Sequence, residues 1–202
     1  MVTGHRQPAG FSLVELLIVI SVMAVLAGLV LPSSNPSIHD QLRSVAHIMA
    51  TDLAYCRSLA VSNDSYYKIT FDTIDNRYIL EHDGTNKSLD TLPNSPFRNP
   101  DDPPEQHIVN LNDLPRIGAP VEIVTMVNTS NIWEQIDDVT FGPLGETARS
   151  GYTYICLSAG AGSAKRYIWL QINPVTGLTT VSTFTGYAPP AWLVDADSDE
   201  TT

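Results

Sequence analysis

Cysteine is scarce in this chain of 202 residues, which contains only Cys56 and Cys156. Two cysteines far apart in sequence are too few for a disulfide-rich scaffold. They also lack the paired spacing of a zinc site, so both of these classes are excluded. Each thiol can instead serve as a small buried hydrophobic group.

Basic residues are also few, with 11 Lys and Arg against 22 Asp and Glu and a net charge of −11. The bases are scattered along the chain rather than clustered. A chain of this charge repels phosphate backbones unless its bases form a patch. We therefore expect no nucleic-acid partner.

Motifs that carry catalysis or hold metals are missing. The five histidines fall into no H-x-x-x-H or H-E-x-x-H pattern, and no G-x-S-x-G, Walker or C-x-x-C sequence occurs. The acidic run at 195–199 resembles half of a calcium loop but lacks the glycine and the closing glutamate. Turn chemistry also explains the other candidate calcium ligands, which are Asp72, Asp75 and Asn76 in one segment and Asp101 and Asp102 in another. We expect no enzyme activity, no cofactor and no metal site.

One long apolar run stands out near the N-terminus. Residues 11–31 read FSLVELLIVISVMAVLAGLVL and contain a single charge, Glu15. A helix of that length spans roughly 30 Å, the thickness of a bilayer core. A short polar leader, residues 1–10, precedes the run, so the natural cleavage junction is Gly10–Phe11 rather than a site after the run.

This segment resembles the N-terminus of type IV pilins and of type II secretion pseudopilins. The resemblance rests on Gly10, Phe11, Glu15 and on Pro32, which ends the run. It implies cleavage after Gly10 by a prepilin peptidase, N-methylation of Phe11 and an assembly role for Glu15. It also implies a single-pass protein of the bacterial inner membrane, with its globular domain in the periplasm and other pilins or pseudopilins as partners.

The remaining chain predicts an α+β fold. An apolar stripe with spacings of three and four predicts an amphipathic helix from about Ser37 to Ser62, with Ser37 as its N-cap. Short strand-like runs separated by turn signals follow it. We expect a long N-terminal helix, half transmembrane and half amphipathic, packed on an antiparallel β-sheet or β-sandwich. The predicted strands are Tyr66–Phe71, Tyr78–His82, His107–Leu111, Val121–Val127, Val139–Phe141, Tyr152–Leu157, Lys165–Ile172 and Leu178–Ser182.

These features predict four segments. Residues 1–10 form the prepilin leader and residues 11–32 the transmembrane and assembly helix. Residues 33–187 form the pilin-like globular domain, and residues 188–202 form an acidic disordered tail.

The C-terminal half has a looser resemblance to GspH/FimT minor pilins, through Phe141, Gly145, Leu157, Arg166 and Gly177. It implies a structural minor pseudopilin of a type II secretion system. Two alternatives stay open: a FimT-like minor pilin in adhesion, motility or DNA uptake, and an enzyme tethered by a pilin-like anchor. In an oxidising periplasm a disulfide between Cys56 and Cys156 would survive, and whether the two pair is left open.

Overall fold

The computed structural model describes residues 12–30, 37–93, 99–114, 120–130 and 133–182, and the side chains of 27–30 fall outside the description. The chain forms two compact units, residues 1–35 and residues 36–202. Helix α1, Leu13–Val30, is the described part of the first unit.

The second unit begins with helix α2, Ile38–Ser62. Ser37 is its N-cap: the Ser37 side chain accepts from the Asp40 backbone N–H, and the Asp40 side chain accepts from the Ser37 N–H. This capping box satisfies amides that the first helical turn leaves without partners. The whole predicted apolar stripe is buried, namely Leu42, Ala46, Met49, Leu53, Cys56 and Ala60.

Within the described ranges, nine strands follow α2 and form two antiparallel sheets. The four-stranded sheet has the order β3-β2-β1-β6, and the five-stranded sheet has the order β5-β4-β7-β8-β9. The strands are β1 Tyr67–Asp72, β2 Arg77–His82, β3 Gln106–Asn110, β4 Val121–Asn128, β5 Glu134–Gln135, β6 Asp138–Phe141, β7 Thr153–Ala159, β8 Arg166–Ile172 and β9 Thr179–Val181.

One hydrophobic core joins α2 to both sheets. Alternate residues of most of these strands point into it, as the period of two in a strand requires. Examples are Ile69 and Leu80 in the four-stranded sheet and Ile155, Leu157 and Leu170 in the five-stranded sheet, all fully buried. The predicted α+β class, with a helix packed on antiparallel sheets, is therefore confirmed.

Polar side chains link these layers at two points. Arg57 on α2 donates from Nε to the carbonyl oxygens of Gly145, at 3.1 Å, and Thr176, at 2.7 Å. Asn76, in the β1–β2 turn of one sheet, donates to the Val121 carbonyl at 2.7 Å and accepts from the Ile123 N–H at 2.9 Å, in the other sheet. Long-range hydrogen bonds of this kind fix the positions of the turns relative to the core.

Strand β5 is the one described strand that the sequence analysis did not predict. It has only two residues, both exposed, so it carries no apolar alternation to detect. The proposed tail, residues 188–202, lies outside the described residues.

Candidate functional site

From Leu13 to Leu26, the surface of α1 is apolar on all sides. Consecutive side chains point in every direction around a helix, and large hydrophobic groups occupy nearly all of these positions. They are between 45% and 78% exposed within the chain, and they are Leu13, Val14, Leu16, Leu17, Ile18, Val19, Ile20, Val22, Met23, Val25 and Leu26. A helix that is hydrophobic all round is normally buried, in a membrane or against other protein. We therefore expect the apolar surface of α1 to be covered by a membrane or by another protein.

Glu15 is the charged residue of this helix and lies in its first turn. Its side chain is exposed, and no ion pair reaches it from the described part of the chain. A carboxylate in the first turn interacts favourably with the positive end of the helix dipole. The one described hydroxyl of the helix, on Ser21, bonds to its own helix at the Leu17 carbonyl, 2.7 Å away.

The processing residues Gly10 and Phe11, and Pro32 beyond the helix, lie outside the described residues. Across the ranges that are described, no helix combines the length and the apolarity needed to cross a membrane. Cleavage, methylation and the boundaries of the 11–32 segment stay predictions.

The five positions of the looser GspH/FimT resemblance have clear structural roles. Phe141 and Leu157 are buried core residues of β6 and β7. Gly145 and Gly177 have φ angles of +83° and +61°, a region in which glycine is strongly favoured. Arg166 begins β8. These positions build the domain rather than a reactive centre.

Cys56 and Cys156 are both buried, and both are free thiols in this structure. Cys56 faces the core from α2. Cys156 lies between Ile155 and Leu157, which both point into that core, so its side chain points to the opposite side of β7. The disulfide left open by the sequence is therefore not formed here. Burial raises the pKa of both thiols, that of Cys156 to about 12.

A Ser–His–Asp arrangement that the sequence analysis missed occurs at one edge of the domain. Ser65 Oγ lies 2.7 Å from His82 Nε2, and His82 Nδ1 lies 2.7 Å from Asp90 Oδ1. The His82 side chain is fully buried, and its hydrogen bond lowers the pKa of the Asp90 carboxyl. A Cβ at Gly84 would sit 2.2 Å from Ser65 Oγ, so the close packing here requires glycine.

Catalysis by such a triad needs an accessible nucleophile and donors aimed at a developing oxyanion. Ser65 is only 8% exposed. A neighbouring cavity of about 300 Å³ is lined by His82 and Asp90 but not by Ser65. The geometry fits a structural tie instead, joining the end of α2, the end of β2 and the segment that follows.

Acidic residues of the turns are engaged in local bonds. Asp72 Oδ1 accepts from the backbone N–H groups of Ile74 and Asp75, which lowers the pKa of Asp72. Arg77 pairs with both Asp72 and Asp75. Nowhere in the described ranges do three or more potential metal ligands come together. The calcium-like run at 195–199 lies outside them.

Comparison with solved structures finds two kinds of minor pilin. The type IV minor pilin FimU of Pseudomonas aeruginosa is 16% identical, with 73% of this chain and 94% of that chain covered at a TM-score of 0.45. The minor pseudopilin EpsH of the type 2 secretion system of Vibrio cholerae is 10% identical, with 71% and 97% covered at a TM-score of 0.48. Likeness at this level does not transfer a function. No curated protein sequence matches the chain.

A family model does match the N-terminal segment. Residues 5–31 fit the prokaryotic N-terminal methylation motif. The matched range contains Gly10, Phe11 and Glu15, three of the four residues on which the resemblance to prepilins rests, and ends just before the fourth, Pro32. That resemblance is thereby confirmed, and the N-terminal segment of this chain is a prokaryotic N-terminal methylation motif.

Proposed function

We propose that this chain is a membrane-anchored structural subunit of the pilin class, and specifically a GspH-like minor pseudopilin of a type II secretion system. The observation that best supports this proposal is the apolar surface on every side of α1, with a single carboxylate in its first turn. In this proposal the run 11–31 holds the subunit in the inner membrane and later packs among the helices of a short filament. The second unit projects into the periplasm.

The role of Glu15 follows from charge in an apolar medium. Insertion scales give a cost of about 2.5–3.5 kcal/mol for a carboxylate at the centre of a bilayer helix, which is an upper limit for Glu15 in the first turn. Cleavage between Gly10 and Phe11 would create an α-amine four residues before Glu15, at the same end of the helix. In a filament, the amine of one subunit would pair with Glu15 of its neighbour and so set the axial register between them.

The second unit supports a structural role rather than catalysis. Its Ser–His–Asp arrangement has a nearly inaccessible serine, and its acidic turns are held by local hydrogen bonds and ion pairs. The acidity of the chain disfavours the DNA-uptake version of the pilus alternative. A minor pilin in adhesion or motility remains the second candidate, supported by the same N-terminal motif.

The experiment replaces Glu15 with Val in the full chain. Membrane insertion and cleavage after Gly10 should persist, because the junction is intact and the helix becomes more apolar. Association with the other filament subunits should fall, because the neighbour's amine loses its partner. An unpaired buried charge costs about 3–5 kcal/mol, enough to lower co-purification by more than tenfold.

Ser21→Ala is the matched control, since Ser21 bonds only to its own helix in the described structure. It should assemble like the wild type. Mass spectrometry of the same samples reports the mature N-terminus. Undiminished association of cleaved Glu15→Val would refute the assembly role. Co-purification with pilus subunits instead of pseudopilins, together with lost motility in a deletion strain, would favour the pilus alternative.

A further inference from the structure

The five-stranded sheet has a second face, directed away from α2. We call it the outer face and define it by Val127 on β4, Cys156 and Ser158 on β7, and Tyr167 and Trp169 on β8. Cys156 is paired with Trp169, and Ser158 with Tyr167. The residues between them along each strand belong to the hydrophobic core. The period of two in a strand therefore places these five side chains on the opposite side of the sheet.

The centre of the outer face is buried although the helix lies on the other side, while Tyr167 and Trp169 on β8 are partly exposed. Val127, Cys156 and Ser158 are each 0% exposed. The Ser158 hydroxyl is buried and finds no hydrogen-bond partner in the described part of the chain. A single-layer sheet face open to water leaves part of its side-chain surface exposed. The complete burial of these three residues indicates that something covers the centre of this face.

The end of the described chain lies beside this face. Strand β9 pairs antiparallel with β8, with Val181 opposite Leu170. The Ser182 N–H then donates to the Trp169 carbonyl at 2.9 Å. The described chain therefore ends at Ser182, beside Trp169 of the outer face.

The composition and length of the segment after Ser182 fit the face. Residues 183–194 read TFTGYAPPAWLV, with Phe184, Tyr187, Trp192 and Leu193 as large apolar groups and no charge. Crossing from β8 to β4 requires about 10 Å at the spacing of neighbouring strands. Twelve residues span up to roughly 40 Å when extended, so the segment is long enough to cross and to lie along the sheet.

We propose that residues 183–194 of this chain bind the outer face and bury Cys156 and Trp169. The acidic end, residues 195–202, then extends beyond the apolar surface. The boundary of the C-terminal tail would accordingly fall near residue 195 rather than at residue 188. With its own chain seated there, this face is closed to other subunits. This inference does not depend on the proposed function.

The two cysteines provide the test, because Cys156 lies under the proposed segment and Cys56 in the main core. The full chain, purified in mild detergent, is treated with a thiol-specific reagent under native conditions, and each site is quantified by peptide mass spectrometry. The double variant Trp192→Ser, Leu193→Ser should react at Cys156 at least about tenfold faster, while Cys56 stays protected. The matched control Asp197→Ser, Asp199→Ser should leave both rates unchanged.

Unchanged protection of Cys156 in the apolar double variant would overturn the proposal. Equally fast reaction of both cysteines would indicate that the variant is unfolded. In that case a disulfide cross-link tests whether residues 183–194 lie on the outer face. Leu193→Cys in a Cys56→Ser chain should form an intramolecular disulfide with Cys156 under mild oxidation, whereas Asp199→Cys should not. Equal cross-linking by both variants, or cross-linking only between copies, would also overturn it, the latter in favour of a second copy as the cover.

Discussion

Replacement of Asn76 by Ala should be among the most destabilising single changes in the second unit. Asn76 has a φ of +54° and is only 7% exposed. Its side chain donates to the Val121 carbonyl and accepts from the Ile123 N–H, both in β4. A longer bond of 3.3 Å reaches Asn112. One side chain in the β1–β2 turn thus satisfies two backbone groups of the other sheet.

The magnitude follows from two separate losses. Leaving the two β4 backbone groups buried without a partner costs about 1–3 kcal/mol each. Forcing alanine into the left-handed region costs about 1–2 kcal/mol, which asparagine largely avoids because its short polar side chain bonds locally. Asn76→Ala should therefore lower the free energy of unfolding by about 3–8 kcal/mol, a large share of the usual 5–15 kcal/mol.

Two further variants separate these losses. Asp64 has a φ of +49° but is exposed, so Asp64→Ala should show the backbone cost without the loss of buried hydrogen bonds. Asn76→Gly should avoid the cost of the left-handed backbone conformation, because glycine adopts it freely, but should still lose the two hydrogen bonds to β4. Urea unfolding of the full chain, followed by tryptophan fluorescence, reports this unit alone, because α1 contains no tryptophan. Equal effects of Asn76→Ala and Asp64→Ala would refute the reasoning.

Three other predictions follow from the same structure. A fragment that starts at residue 34 should fold without the anchor, giving mixed α and β circular dichroism and a cooperative melt; a disordered spectrum would contradict this. The chain should bind DNA no more tightly than high micromolar at physiological salt, and a tight gel shift would refute that. Burial raises the pKa of the Asp52 carboxyl above that of the unfolded chain, although a hydrogen bond from Tyr78 opposes the shift. The folded state is therefore favoured while Asp52 is protonated, and it loses stability as the pH rises through the folded pKa and the carboxyl ionises. Asp52→Asn should therefore gain stability over wild type at pH 7 and lose that advantage near pH 4, as paired urea titrations would show.

The sequence predicts best those features that a local pattern specifies. The stripe on α2 repeats every three or four residues, and every member of it proves to be buried. The cap at Ser37 is a local signal too, and the structure adds the reciprocal bond from Asp40. The eight predicted strands also appear, since turn residues separate their apolar runs. Strand β5 escapes prediction because it buries nothing.

Contacts between distant residues could not be predicted in this way. Arg57 and Asp52 lie off the apolar stripe, which indicates only a polar position on the helix. In the structure Arg57 binds carbonyls near residues 145 and 176, and Asp52 accepts a hydrogen bond from Tyr78. The pairing of Ser65 with His82 and Asp90 likewise depends on strand register and on the loop after β2. No spacing rule in the sequence encodes these distances.

The two units also differ in where their stabilisation comes from. The second unit buries its own apolar groups between α2 and two sheets, so its stability is set within the chain. Helix α1 leaves large apolar groups exposed on every side, so its surroundings must supply the missing contacts. Changes in the core of the second unit should accordingly alter how much folded protein accumulates. Under the proposed function, a change at Glu15 should instead alter which partners the protein keeps, because its effect would arise when the helix packs among the helices of other subunits.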